Sequence, residues 1–156
     1  MSAELTRSRP NIQKDYGIPE SEEGMLSWDF VTDRLAAARN YWVSTTRPDG
    51  RPHATPSWAV WLDGTLYFGG GRQTRKARNM AANPAVVVHL ESGDEVVILE
   101  GVVEEITDPA LQERIDDAYE AKYGMRHGTP VWALRVEQAF AWSEYPTTVT
   151  RWRAAP

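Results

Sequence analysis

Gly69-Gly70-Gly71-Arg72-Gln73-Thr74-Arg75-Lys76-Ala77-Arg78-Asn79 is the stretch on which the reading of this chain turns. It follows the apolar run Thr65-Leu66-Tyr67-Phe68 and opens a helical segment over residues 74–82, which Asn83-Pro84 stops. A strand thus runs through glycines into a helix. Glycines let a backbone come close to a ligand, and a new helix presents unpaired N–H groups at a positive dipole end. Thr74 adds a hydroxyl, and Arg72, Arg75, Lys76 and Arg78 put four cations into seven residues. Cations prefer the other end of a helix, so their presence here points to a bound anion, most plainly a phosphate. A solvated basic helix start is the competing reading.

The basic cluster is local. The chain of 156 residues has a net charge of −5, which argues against a general nucleic-acid binder, whose affinity comes mainly from neutralised phosphates. With 25% charged and 42% hydrophobic residues, the composition is that of an ordinary globular domain. Seven tryptophans are an unusual load; such residues build cores and also pockets for flat rings. The absence of cysteine removes disulfides, thiol catalysis and cysteine-bound zinc together, and fits a reducing compartment. Residues 1–7 lack the apolar core of a signal peptide, and no run approaches transmembrane length. The expectation is a cytoplasmic protein with neither membrane nor nucleic acid as partner.

Outward from the central stretch, turn and cap signals mark the other elements. Residues 1–24 are polar, with Pro10, Pro19 and Glu20-Ser21-Glu22-Glu23, and read as a flexible N-terminal arm. Residues 25–156 read as a single domain. Ser27 is placed to cap a helix over 28–39 with Trp28, Val31, Leu35 and Ala38 on one face. Strands are predicted at 41–46, 53–62 and 65–68, the first pair joined by Pro48-Asp49-Gly50 and the second by a two-residue Asp63-Gly64 turn. Residues 86–90 form a buried strand. Residues 95–106 form another, with Gly101 marking a bulge or a bend. Asp108-Pro109 starts a helix to about residue 123, and strands at 132–136, 139–143 and 147–152 finish the chain. About six or seven mostly antiparallel strands with about three helices make an α+β domain around a small barrel.

Four segments, taken together, carry a family likeness: Gly50-Arg51-Pro52-His53-Ala54-Thr55-Pro56-Ser57-Trp58, Thr74-Arg75-Lys76-Ala77-Arg78-Asn79, Asn83-Pro84, and Gly93-Asp94-Glu95-Val96-Val97-Ile98-Leu99-Glu100-Gly101. Over roughly residues 28–153 the chain resembles the pyridoxamine 5'-phosphate oxidase-like split β-barrel superfamily, which holds FMN-dependent oxidases, heme-binding members and deazaflavin reductases using coenzyme F420. The resemblance implies that Thr74, Arg75 and Lys76 bind a cofactor phosphate, with Arg78 and Asn79 as further ligands and Arg72 adding charge for the phosphate or an acidic tail. It implies that a flat ring lies along Thr55, Pro56, Ser57, Trp58 and Ala59, at the interface of a homodimer. Trp132, Trp142, Arg151 and Trp152 are the residues placed near that interface. FMN-dependent oxidases of this type carry a lysine on the ring strand; Pro56-Ser57-Trp58-Ala59-Val60-Trp61-Leu62 has none. The Ala-Thr-Pro-x-Trp pattern followed by Gly-Asp-Glu-Val-Val looks more like the F420 branch, so coenzyme F420 is the expected cofactor and FMN the alternative. Thr150-Arg151-Trp152-Arg153 echoes the oxidases' substrate-binding end only in part.

The implied activity is hydride transfer between F420 and a small unsaturated organic molecule. The cofactor carries that chemistry while the protein fixes its ring and excludes water; Arg151, a tyrosine hydroxyl or backbone N–H groups would meet the developing negative charge. A non-catalytic flavin, deazaflavin or heme binder is a further alternative. His89 reads as a structural histidine in an apolar strand, His53 has a polar role or none, and His127 is expected to face water. No motif suggests a metal, a P-loop, a Gly-x-Gly-x-x-Gly fingerprint or a serine elbow. Tyr119, Lys122 and Tyr123, spaced on one helix face, read as packing or solvated residues.

Overall fold

Local chemistry sets most of the element boundaries in the computed structural model, which describes residues 4–156. Among the described residues there are nine strands, β1 (Leu5–Ser8), β2 (Tyr41–Thr46), β3 (Pro52–Ser57), β4 (Ala59–Leu62), β5 (Thr65–Gly69), β6 (Ala85–His89), β7 (Val96–Glu105), β8 (Val131–Trp142) and β9 (Thr150–Ala154). The α-helices are α1 (Trp28–Ala37), α2 (Arg75–Ala82) and α3 (Pro109–Tyr123). Thr74 caps α2 by accepting from the Ala77 amide, and Asp108 caps α3 by accepting from Ala110, with Pro109 in the first turn. Ser27 stands at the cap position of α1, but its side chain makes no capping bond. Asp63 and Gly64 both take positive φ, 50° and 79°, the geometry a tight β4–β5 hairpin requires.

All the strand pairs are antiparallel, in the order β1-β9-β8-β7-β6-β2-β3, with β5 joining β4 to β8. One edge of β8 is shared: Val131–Leu134 pair with β5, and Gln138–Ala141 pair with β9. β7 follows the other edge along its whole length. That shared edge is the split in the barrel.

Three expectations are corrected here. The strands expected at 132–136 and 139–143 are one strand, Val131–Trp142, because the register shift at Gly101 bends β7 and β8 together without breaking the ladder; a Cβ at Gly101 would lie 2.1 Å from the Arg135 carbonyl oxygen. Residues 53–62 form two strands, interrupted at Trp58. The segment read as a flexible arm contributes β1, paired with β9, and Arg9 anchors it further. The Arg9 guanidinium donates to the carbonyls of Ser21, Glu23, Thr147 and Val149 at 2.6 to 2.9 Å. These bonds span up to 140 residues, so no local sequence signal announces them.

The main core lies inside the barrel and takes Val31 and Leu35 from α1, Ala77 and Met80 from α2, and Val43, Phe68, Val88 and Leu99 from the sheet. A second cluster, Val60, Tyr67, Ile115, Tyr119 and Val131, seals α3 against β4 and β5. Each large apolar side chain fully buried in this way contributes on the order of 1.5–3 kcal/mol.

Candidate functional site: an anion cradle beside a split ring strand

β5 ends at Gly69, and the chain turns through Gly70, whose φ of +147° excludes most side chains. A Cβ on Gly70 would lie 3.3 Å from Lys76 Nζ and 3.7 Å from Thr74 Oγ1. Glycine therefore leaves a small space bounded by an ammonium and a hydroxyl. Lys76 is 7% exposed and donates to the Gly69 carbonyl at 2.7 Å and to Ser57 Oγ at 3.1 Å. An ammonium has three N–H donors, so one is left for a ligand. Burial lowers the Lys76 pKa from 10.5 to about 8, because the charged form loses its hydration, and among the described residues no carboxylate pairs with it. An anion in the Gly70 space would supply the missing countercharge. A phosphate fits this donor set.

The other residues expected in the site divide into two groups. Arg75 is half-buried and makes one long contact, 3.4 Å, to Asn79 Oδ1, leaving most of its guanidinium donors uncommitted among the described residues. The amides of Arg75 and Lys76, in the first turn of α2, have no acceptor inside the helix. Thr55 and Ser57 share the inner face of β3 with His53, opposite Val43, Tyr41 and Thr45. The His53 Nδ1 is buried with no partner among the described residues. Lys76 thus joins Gly69, Gly70 and Ser57 in one polar corner, with Arg75 beside it in sequence on the first turn of α2.

The second group is engaged elsewhere. The Thr74 hydroxyl donates to the Gly71 carbonyl at 2.7 Å while capping α2, so its hydrogen is already taken. Arg72 pairs with Glu105 on the surface, which holds the Glu105 carboxyl below its usual range. Arg72, Arg78, Glu105 and Trp132 line a separate cavity of about 480 Å³ on another face of α2. Asn79 is fully buried and donates to Thr45 Oγ1 at 3.0 Å, fixing α2 to β2. Pro56 faces away from Ser57, on the outer side of the sheet beside Trp42. Trp58 stands at the strand break, and Ala59 is buried. The expected platform thus presents several faces.

Arg151 is the farthest outlier. Hydrogen-bonded neighbours carry the row Pro56, Trp42, His89, Ile98, Phe140, Arg151 across the sheet. At about 4.8 Å per strand, Arg151 lies about 24 Å from Pro56 measured along the curved sheet, five strands away, and its Nε donates to Ser8 Oγ. Trp142 is half-exposed, whereas Trp132 and Trp152 are core residues at 6% and 2% exposure. Two of the four residues expected near an interface are therefore buried in the chain's own core. A cavity of about 540 Å³ opens at the split between Trp28, Trp61, Tyr67, Arg135 and Trp152, with none of the polar-corner residues in its lining.

Sequence reasoning passed over the residues that hold Trp58. The Tyr119 hydroxyl donates to the Trp58 carbonyl at 3.1 Å, and Lys122 Nζ donates to the Ala59 carbonyl at 3.0 Å and to the Tyr41 hydroxyl at 2.7 Å. Their spacing on one helix face was the visible signal. His127, expected in water, is half-buried against the Tyr119 ring, 4.7 Å between centroids, and fills the space beside Gly69. Among the described residues no three His, Asp or Glu side chains gather to hold a metal, and no helix is long and apolar enough to cross a membrane.

An antiparallel split barrel with a basic strand-to-helix corner defines a class, and the sequence places the chain within it. The sequence profile of pyridoxamine 5'-phosphate oxidase matches residues 28–146, so the chain belongs to that family, whose members include oxidoreductases. No curated protein matches the sequence. Among solved structures, a conserved hypothetical protein of Mycobacterium tuberculosis superposes with a TM-score of 0.68 at 22% identity, over 78% of this chain and 88% of that one. A heme binding protein of Mycobacterium smegmatis gives 0.66 at 20% identity, over 83% and 58%. An F420 reductase gives 0.52 at 25% identity, over 69% and 94%.

Proposed function

We propose that this protein is an F420-dependent oxidoreductase that transfers a hydride between the deazaflavin and a small unsaturated organic substrate. The observation that carries the binding half of this reading is the Gly70 space, bounded by a buried lysine that has, among the described residues, one uncommitted donor and no carboxylate partner. The choice of F420 rests on the ring strand, where Ala59 and Val60 are buried and no lysine is present to hold a flavin; the likeness to an F420 reductase supports it. FMN is the second reading, because the matching profile is that of the pyridoxamine phosphate oxidases.

In this reading Lys76 and Arg75 bind the phosphate and the amides opening α2 add two donors. Ser57, held by Lys76, orients the chain that lies under the ring. When bound, the deazaflavin supplies the hydride. The protein's part is to hold the ring beside the substrate and keep water out. Arg151 would meet charge developing on the substrate from a second copy, since within one chain it stands five strands along the sheet from Pro56 and its Nε is bonded to Ser8 Oγ. A homodimer therefore belongs to the same proposal, formed through the outer sheet face that carries Trp42, Ile98, Phe140 and Trp142 as half-exposed residues. A permanent interface of that kind buries on the order of 2,000 Å² or more.

Titrating F420 and FMN into the apoprotein, followed by quenching of tryptophan fluorescence, tests the assignment. Saturable binding of both with F420 tighter is the expected result. Tighter FMN binding moves the protein to the FMN branch, and binding of neither overturns the function.

A further inference from the structure

The strand break at Trp58 is held by a helix that supplies nothing to the anion cradle. We propose that Tyr119, Lys122 and Tyr123, on the last turns of α3, are positioning residues that set the Trp58 indole as the wall against which a bound flat ring packs. This rests on the cofactor reading above and names a part of the site that the family likeness did not assign.

Trp58 and Tyr123 stack face to face, with centroids 4.4 Å apart and planes 6° from parallel. The Arg39 guanidinium lies 5.3 Å from the Trp58 centroid and 5.6 Å from that of Tyr123. Trp58 nevertheless keeps 36% exposure, more than any other tryptophan among the described residues. The pair thus fixes the indole plane and leaves part of it open.

The backbone behind the indole is fixed just as closely. The Tyr119 hydroxyl donates to the Trp58 carbonyl. The Tyr123 hydroxyl accepts from the Ala59 amide at 3.1 Å and lies within bonding distance of the Ala59 and Arg39 carbonyls, 2.9 and 2.8 Å. Lys122 adds its bond to the Ala59 carbonyl. These contacts replace the ladder bonds a continuous strand would have made.

Lys122 is an expensive way to fill this space. It is half-buried and has no carboxylate within 4.0 Å among the described residues, and burial lowers its pKa from 10.5 to about 8. An apolar side chain would pack there without losing hydration. What the ammonium adds is direction, two donors aimed at the Ala59 carbonyl and the Tyr41 hydroxyl. The position matters because Ser57, two residues before Ala59, is the one that Lys76 holds. Two lysines from two helices thus fix successive parts of Ser57-Trp58-Ala59, one at the anion cradle and one at the ring wall.

The experiment compares wild type, Lys122→Met, Lys122→Arg and Tyr123→Phe. Dissociation constants are measured for F420, FMN and inorganic phosphate, and thermal melts confirm folding. Lys122→Met should bind both ring-bearing cofactors about three- to tenfold more weakly, the size of one lost aromatic stack. Inorganic phosphate should bind it as it binds wild type, and Lys122→Arg should recover most of the loss. If Lys122→Met does not fold, Tyr123→Phe, which keeps the ring but loses the hydroxyl, carries the same comparison. Unchanged cofactor affinity in a folded variant overturns the proposal, as does an equal loss for phosphate. Failure of the wild type to bind either cofactor overturns the functional reading first and this inference with it.

Discussion

Two helices reach Ser57-Trp58-Ala59 from different sides, and they treat their polar groups in opposite ways. At the start of α2, donors are left over: one N–H of Lys76, most of Arg75 and two backbone amides. At the end of α3, each polar tip is matched to a named backbone carbonyl, amide or hydroxyl. Buried polar groups are normally satisfied. Lys122 also keeps a third N–H, but it is half-exposed and reaches water, whereas the spare donor of Lys76 is buried; the α2 corner therefore awaits a ligand, and the α3 end holds a shape. The same residue type, a half- or fully buried lysine with its pKa lowered to about 8, serves both ends.

The comparison can be broken first at Asn79, the buried residue that fixes α2 to β2. Asn79→Ala leaves Thr45 without its partner and should lower stability by about 1–3 kcal/mol in chemical denaturation. A smaller effect would mean that α2 is not held from this side. The pH dependence comes next. Lys76 is charged below pH 8, so anion affinity should be constant there and fall as pH rises through about 8, by up to about tenfold per unit. Apoprotein stability should move the other way. Between about pH 8 and 10.5 the unfolded chain binds protons that native Lys76 and Lys122 have released, so stability rises with pH in that window. A third, smaller effect is expected on the α3 side, where Tyr119→Phe removes the bond to the Trp58 carbonyl and should cost about 0.5–1.5 kcal/mol of stability. Smallest of all is Arg72→Ala. The guanidinium is paired with Glu105 on the surface, and neither melting temperature nor phosphate-dependent affinity should change.

Much of the fold was legible because its signals are local. Caps at Thr74 and Asp108, the Asp63-Gly64 turn and the Gly101 bulge each act within a few residues of themselves. β1 was not legible, since its partner β9 lies at the other end of the chain and Arg9 secures it through distant carbonyls. In the site, the glycine corner with Arg75 and Lys76 could be read because strand, turn and helix follow one another in sequence. Arg72 and Arg78 looked equivalent to them, as charge carries no record of which helix face it occupies. The role of α3 was hidden for a different reason. Tyr119, Lys122 and Tyr123 show a periodicity that any packed helix would show, and what distinguishes them is a strand break more than sixty positions earlier in the chain.

The central claim is that Lys76 binds an anionic group. Its most direct test compares wild type with Lys76→Met, using whichever of F420 or FMN binds the wild type more tightly, and that cofactor's phosphate-free core, the bare deazaflavin or riboflavin. Loss of a charge-assisted hydrogen bond worth about 1.5–3 kcal/mol should weaken the phosphorylated ligand roughly tenfold to a hundredfold. The phosphate-free core should lose much less, and the variant should still unfold cooperatively at pH 7, because the lost bonds to Gly69 and Ser57 are offset in part by removal of a charge that burial disfavours. Equal binding of the phosphorylated cofactor by folded Lys76→Met and wild type would contradict the account.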